Sequence, residues 1–210
     1  MRKLQSVPTY LNFIQKWSRA RYFFFILATI LAVSGCKKDS VDNESEGEGG
    51  ENEYFMSFKA DGAAIEYKSN TITQLLPVSD KGLYSCILQG YKDFPATDDH
   101  LMSLIIWSRD PIATKTYRNA VNVVNTDDDE IPEIVVTYLN GDDAGYLSQN
   151  IFLPAIPGYE HVVTDAEITL SEINDGYITG TFSGTLYKST DATFTTTVKI
   201  TDGKFKLKRL

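Results

Sequence analysis

Cysteine and histidine are almost missing from this chain: two of each in 210 residues. Cys36 and Cys86 make no Cys-x-x-Cys pair, and His100 and His161 make no His-x-x-x-His pair, so the common zinc spacings are excluded. Helical periodicity is also missing. Past residue 33 no stretch repeats its apolar residues every 3.6 positions, which excludes a helical bundle. Nor is any apolar run long enough to span a bilayer as a helix. The longest, residues 22–33, is about a dozen residues, against the roughly 20 that a span needs. Positive charge is in deficit, with 20 Lys and Arg against 28 Asp and Glu and a net charge of −8. Such a surface repels phosphate backbones and anionic headgroups, so nucleic acid is not an expected partner.

What is present begins with a basic head. Arg2, Lys3, Lys16, Arg19 and Arg21 precede the apolar run, and residues 1–35 contain no acid. A basic head, a short apolar segment and small residues make a secretory signal peptide. An uncleaved signal anchor is the alternative. The run closes on Ala32-Val33-Ser34-Gly35-Cys36, which resembles a bacterial lipobox with Val33 in the usual Leu position. The resemblance implies peptidase cleavage between Gly35 and Cys36 and attachment of acyl chains, such as palmitate, at Cys36. Each buried CH₂ contributes about 0.8 kcal/mol, and stable anchoring takes more than one chain. The expected membrane partner is reached through this lipid.

Residues 37–53 read KKDSVDNESEGEGGENE. Almost nothing there can be buried, so a disordered tether is expected, extended by its like charges. Lys37-Lys38-Asp39 followed by acids resembles lipoproteins of the Bacteroidetes, which implies the outer face of the outer membrane. The periplasmic face is the alternative. Removing residues 1–35 takes five basic residues and leaves 15 against 28 acids, a net charge of −13. The tether holds two lysines and seven acids, so residues 54–210 keep 13 against 21, or −8. The expected organisation is a signal peptide over 1–35, lipidated Cys36 and tether over 36–53, and one domain over 54–210.

Within that domain the pattern is period 2. Ile178, Gly180, Phe182, Gly184 and Leu186 share one face of a long strand over 176–187, with Tyr177, Thr179, Thr181, Ser183, Thr185 and Tyr187 on the other. Asn174-Asp175-Gly176 turns the chain from a strand over 166–172 into it. Phe194, Thr196, Val198 and Ile200 alternate next. Asp202-Gly203 then predicts a hairpin before Phe205 and Leu207. These segments predict a C-terminal meander of about four strands. Asp61-Gly62 predicts another hairpin after residues 54–60, with short strands at 65–67 and 71–76. Residues 83–89, 101–107 and 134–139 are more continuously apolar, which predicts strands covered on both faces, and Asn140-Gly141 closes the last of them. The predicted fold is all-β, an antiparallel sandwich or calycin-like barrel of about 8–10 strands.

The run Asp175-Gly-Tyr-Ile-Thr-Gly-Thr-Phe-Ser-Gly-Thr-Leu-Tyr187, then Val198-Lys-Ile-Thr-Asp-Gly-Lys-Phe205, is similar to the ending of a family of small Bacteroidetes lipoproteins grouped as a domain of unknown function. The opening Phe58-Lys-Ala-Asp-Gly62 is similar as well. The resemblance implies an all-β extracytoplasmic domain and brings no substrate.

Few residues invite chemistry. Cys86 stands in an apolar strand-like run, where a thiol acts as a small hydrophobe. His100 and His161 fall in polar stretches that predict exposed loops. Gly180-Thr-Phe-Ser-Gly184 sets Ser183 one place late for a nucleophile elbow, and on a strand. Asp127, Asp128, Asp129 and Glu130, with Asn140-Gly-Asp-Asp143, concentrate oxygens of the kind calcium takes, though neither matches an EF-hand loop. A solvated charged loop is the plainer expectation, and no other cofactor is implied. Trp107, Tyr146, Phe152 and Tyr159 could face a sugar or a lipid, but residues 147–159 read first as packing. The function expected is a non-enzymatic surface module for an unknown protein or glycan. The alternatives are a carrier of a small apolar ligand and, further off, a glycan hydrolase with paired carboxylates.

Overall fold

Short alternating runs separated by Gly, Asp and Asn turns leave the chain one way to satisfy its backbone, which is cross-strand pairing. The computed structural model describes residues 54–68, 71–92, 100–141, 145–152 and 161–209. The signal-peptide and tether segments, with Gly35 and Cys36, lie outside the described residues. Among the described residues every regular element is a strand: β1 Phe55–Ala60, β2 Ala63–Lys68, β3 Thr71–Leu76, β4 Tyr84–Tyr91, β5 His100–Ser108, β6 Thr116–Arg118, β7 Asn122–Val124, β8 Glu130–Pro132, β9 Ile134–Asn140, β10 Tyr146–Leu147, β11 Asn150–Phe152, β12 His161–Val163, β13 Glu167–Ile173, β14 Tyr177–Lys188 and β15 Thr197–Lys208. No described helix is long and apolar enough to cross a membrane.

The main sheet is antiparallel, in the order β2-β1-β15-β14-β10-β9-β5-β4-β3. On the edge of β14 away from β15, β13 pairs with its first half and β10 with Tyr187 and Lys188. β6 then extends the sheet beyond β13. The two ends of the sheet approach each other, and it nearly closes into a barrel-like shape. Gly90 of β4 lies so close to β1 and β2 that a Cβ there would stand 2.8 Å from Tyr67 Cδ2 and 3.1 Å from Met56 Cβ.

The inward positions fill one core. Met56 and Phe58 meet Leu88, Met102, Leu104, Ile106, Val136, Ile168, Ile178, Leu186 and Phe205 there. Phe58 holds edge-on contacts with Tyr67 and Tyr138, at 5.8 and 5.5 Å between ring centroids. The Asp61-Gly62 hairpin forms as predicted, with φ of 48° and 85°, the two positive values of a type I′ turn. At Asn174 the side chain accepts from the backbone N–H groups of Gly176 and Tyr177, at 2.9 and 2.8 Å, and this fixes the predicted turn into β14.

Four expectations are corrected. First, β15 runs through Asp202-Gly203 without turning, so the C-terminal end is three long strands and not a four-strand meander. Second, Phe194 and Thr196 precede β15 in a turn, and Phe194 rests edge-on against Tyr187 at 5.7 Å between ring centroids instead of filling the core. Third, among the described residues fifteen strands stand where 8–10 were expected, because pieces as short as Tyr146–Leu147 carry no alternation to read. Fourth, β4, β5 and β9 bury one face fully and the other only in part: Ile105, Val135 and Thr137 are half-exposed.

Candidate functional site

The inward residues of β15 are even-numbered up to Ile200 and odd-numbered from Gly203 onward. One extra residue must therefore be inserted, and it is Asp202, at φ 55°. Opposite it the pairing jumps from Phe182↔Gly203 to Gly184↔Ile200 on β14, and from Ser57↔Lys204 to Lys59↔Thr201 on β1. This is a β-bulge. It requires glycine at 203, where a Cβ would stand 2.2 Å from the Phe182 carbonyl oxygen.

On the outer face the bulge opens a cleft of about 210 Å³. Its lining includes Glu167 and Thr169 from β13, Thr181 and Ser183 from β14, and Asp202 and Lys204 from β15. Its two carboxylates are each held by a cation on a neighbouring strand. Asp202 meets Lys59 Nζ at 2.9 Å, and Glu167 meets Arg118 Nε at 3.7 Å. The Lys59 ammonium, hydrogen bonded to Asp202, holds that carboxyl below the usual carboxylate range.

The cleft belongs to a wider polar face. Across six strands the register aligns Glu66, Ser57, Lys204, Thr181, Thr169 and Thr116 in one row. At about 4.8 Å per strand the row spans roughly 24 Å. The next row holds Lys68, Phe55, Lys206 and Thr179, and beyond it Lys208 faces Tyr177. Lys206 lies over the Tyr177 ring at 4.8 Å and the Tyr54 ring at 5.9 Å. The Thr116 and Thr169 hydroxyls meet at 2.8 Å.

The sequence-predicted candidates lie elsewhere and do not converge. Asp127, Asp128 and Asp129 lie in the β7–β8 turn, and Glu130 opens β8. There the Asn125 side-chain oxygen accepts from the Asp127 and Asp129 N–H groups, at 2.8 and 3.1 Å. The Asp127 carboxylate is taken by Lys81, Glu130 by Asn122 at 3.1 Å, and Asp129 by Asn125 at 3.4 Å. Among the described residues no three His, Cys, Asp or Glu side chains come together as a metal site. Asp142, Asp143 and Tyr159 lie outside the described residues. His100 and His161 open strands β5 and β12 instead of standing in loops, and His100 is half-buried, which corrects that expectation. Tyr146 stacks on Tyr138 at 6.3 Å between ring centroids and packs on the core. Cys86 is buried, and burial pushes its thiol up to about 12.

A buried polar cluster escaped the sequence reading. Asn119 Nδ2 donates to the Ile134 carbonyl at 3.0 Å and to Ser148 Oγ at 3.2 Å, and its Oδ1 accepts from Thr164 Oγ1 at 2.9 Å. The cluster ties the end of β6 to β9 across the split in the sheet. Nearby, Glu133 is buried against the Arg118 backbone N–H at 3.0 Å and Lys115 Nζ at 3.3 Å. Every group in the cluster is satisfied by another protein group, which makes it a fastening and not a reactive centre.

On the inner face of β14 neither glycine borders a void. Phe205 fills the space over Gly180, and Ala166 fills that over Gly184. Compared with family models, curated proteins and solved structures, the chain matches none.

Proposed function

We propose that the chain is a lipid-anchored module of the bacterial cell envelope that binds a glycan, without cleaving it, on the outer face of β13, β14 and β15. Cys36 carries the lipid, and the domain faces the cell exterior from the outer membrane. The observation that carries the binding reading is the bulge cleft, an open recess of hydroxyls and charged side chains on the outer face of the sheet. Thr169, Thr181 and Ser183 both donate and accept, as a sugar's hydroxyls do. Asp202 and Glu167 accept only, and their cation partners on neighbouring strands fix their positions.

Two features favour binding over the alternatives. A glycosidase needs one carboxyl that stays protonated to donate to the leaving oxygen. In this cleft both carboxylates are already ion-paired across strands, Asp202 with Lys59 and Glu167 with Arg118. A carrier needs an interior void, and the inward glycines of β14 are covered by Phe205 and Ala166.

The test uses the full chain in detergent on an array of bacterial and plant polysaccharides. Thr181→Arg, a substitution at an exposed position that fills the cleft, is expected to abolish binding while the urea midpoint stays unchanged. Binding that survives Thr181→Arg, or no binding to any polysaccharide, would contradict the reading. Separately, Cys36→Ala is expected to move the protein from the membrane fraction to the soluble fraction.

A further inference from the structure

We propose that the outer face of β3, β4, β5 and β9 rests on the lipid surface to which the chain is anchored; this goes beyond the glycan site and depends only on the lipid at Cys36. The outward residues of these strands fall in register. Ile87, Ile105 and Val135 lie side by side in one row, and Leu76, Ser85 and Trp107 in the next. Ile72 stands on the other side of the first row, beside Gln89, Ser103 and Thr137. Leu76 is exposed, and Ile72, Ile105, Trp107 and Val135 are half-exposed. No outward position of the four strands carries a charged side chain, in a domain whose net charge is −8. A contiguous apolar patch of this kind marks a contact surface.

Three polar side chains of the face are turned toward one another. Tyr91 Oη donates to Gln89 Oε1 at 2.8 Å, and Gln89 Nε2 donates to Ser103 Oγ at 3.2 Å. Covering that row with an apolar medium leaves both bonds intact, so it does not cost the full desolvation of these groups. The face also points away from the cleft. In the nearly closed sheet β15 and β14 stand third and fourth in order, and β5 and β4 seventh and eighth of nine. With the apolar side on the membrane, the bulge cleft is turned outward.

Size and tethering favour lipid over a protein partner. Four strands and four rows of outward residues measure roughly 14 by 20 Å, or about 300 Å². A stable protein interface needs about 800 Å² on each side. A second copy would also meet this convex face along a narrow strip. A lipid surface is held in place by the anchor. As a flexible chain, residues 37–53 would span about 23 Å, so the domain stays beside the bilayer. At the effective concentration that such a tether sets, on the order of millimolar, a weak contact is well populated. Trp107 has the apolar ring and single N–H that suit the boundary between headgroups and acyl chains. The face offers no cation to anionic headgroups, so neutral lipid is sufficient.

Trp107 reports on the face directly, because Trp17→Phe leaves it the only tryptophan of the chain. The test takes that full chain from a lipoprotein-processing bacterium into phosphatidylcholine vesicles whose acyl chains carry bromine near the headgroups. The expected result is loss of Trp107 emission relative to unbrominated vesicles, no greater when phosphatidylglycerol is added. Ile105→Ser with Val135→Ser is expected to abolish the quenching while the protein still floats with the vesicles. If the double variant lowers the urea midpoint, Leu76→Ser, at an exposed position, replaces it and is expected to reduce the quenching. Unquenched Trp107 in protein that floats with the vesicles would overturn the inference and leave the anchor standing. Quenching that the variants leave unchanged would also overturn it. So would shielding of Trp107 from aqueous iodide that grows with protein density without bromine quenching, which would mean that a second copy covers the face. Protein that does not float with the vesicles would overturn the anchor and this inference together.

Discussion

Phe205 on β15 lies directly across from Gly180 on β14, and its ring occupies the space that a side chain at 180 would need. A Cβ there would stand 2.5 Å from Phe205 Cζ and 2.2 Å from the Thr169 carbonyl oxygen. The ring can move but the backbone of β13 cannot move cheaply, so Gly180→Ala overpacks the core. The expected loss is about 1–3 kcal/mol in urea unfolding. A loss under about 0.5 kcal/mol would mean that the interior has room, as a carrier requires.

Asn119 fastens the two arms of the sheet that part at β14. Asn119→Ala takes the side-chain donor from the buried Ile134 carbonyl and the acceptor from the Thr164 hydroxyl, which keeps its bond from the Gln149 N–H at 3.3 Å. Leaving buried polar groups without partners costs about 1–3 kcal/mol. Replacing the exposed Asn122 by Ala is the control, with an expected change within about 0.5 kcal/mol. The comparison is made by urea midpoints at constant slope.

The turn before β15 is organised by one carboxylate. Asp191 accepts from Thr193 N–H at 2.8 Å, Thr193 Oγ1 at 2.5 Å, Thr195 N–H at 3.0 Å and Thr196 N–H at 2.7 Å. The Thr193 hydroxyl first, then the backbone N–H groups of Thr196 and Thr193, hold its carboxyl well below the usual carboxylate range. A depressed folded value stabilises above the unfolded value and is lost as pH falls. The melting temperature of the wild type should therefore exceed that of Asp191→Asn at pH 7. The gap should narrow as pH drops below about 4, the unfolded carboxylate range. A gap that stays constant down to pH 2 would contradict this.

Cys86 supplies a test of both burial and anchoring. With its thiol raised to about 12, almost no thiolate exists at pH 8, so the native protein should resist iodoacetamide. In urea, protein taken from the membrane of a lipoprotein-processing bacterium should take up one label per chain, at Cys86. Two labels would mean that Cys36 is a free thiol and that the lipid assignment is wrong.

Much of the fold can be read from alternation and turns: the Asp61-Gly62 hairpin, the Asn174-Asp175-Gly176 turn and the inward set from Ile178 to Leu186 all stand as read. Asp202-Gly203 misleads because the same dipeptide serves a hairpin and a bulge. The distinguishing mark is the parity change from Ile200 to Phe205. A hairpin would reverse the strand, whereas an inserted residue keeps it running and restores the inward face. The cleft was legible only in parts. Thr181 and Ser183 read as outward residues, but their meeting with Glu167 and Thr169 depends on which strand pairs with β14, and sequence spacing does not encode that. Asn119, Ser148 and Thr164 left no signal at all, since single polar residues in short irregular stretches look the same whether buried or exposed. The acids at 127–130 drew attention by density, but each of Asp127, Asp129 and Glu130 finds its own donor.

The most direct measurement is a titration of the isotope-labelled full chain in detergent with soluble oligosaccharides cut from a polysaccharide that the array shows to bind, followed by backbone amide shifts. The account predicts progressive shifts at Thr169, Thr181, Ser183 and Lys204, with Leu104, Leu186 and Phe205 unmoved. Shifts confined to the barrel interior would contradict it in favour of an internal ligand. No shift at any amide would contradict it outright.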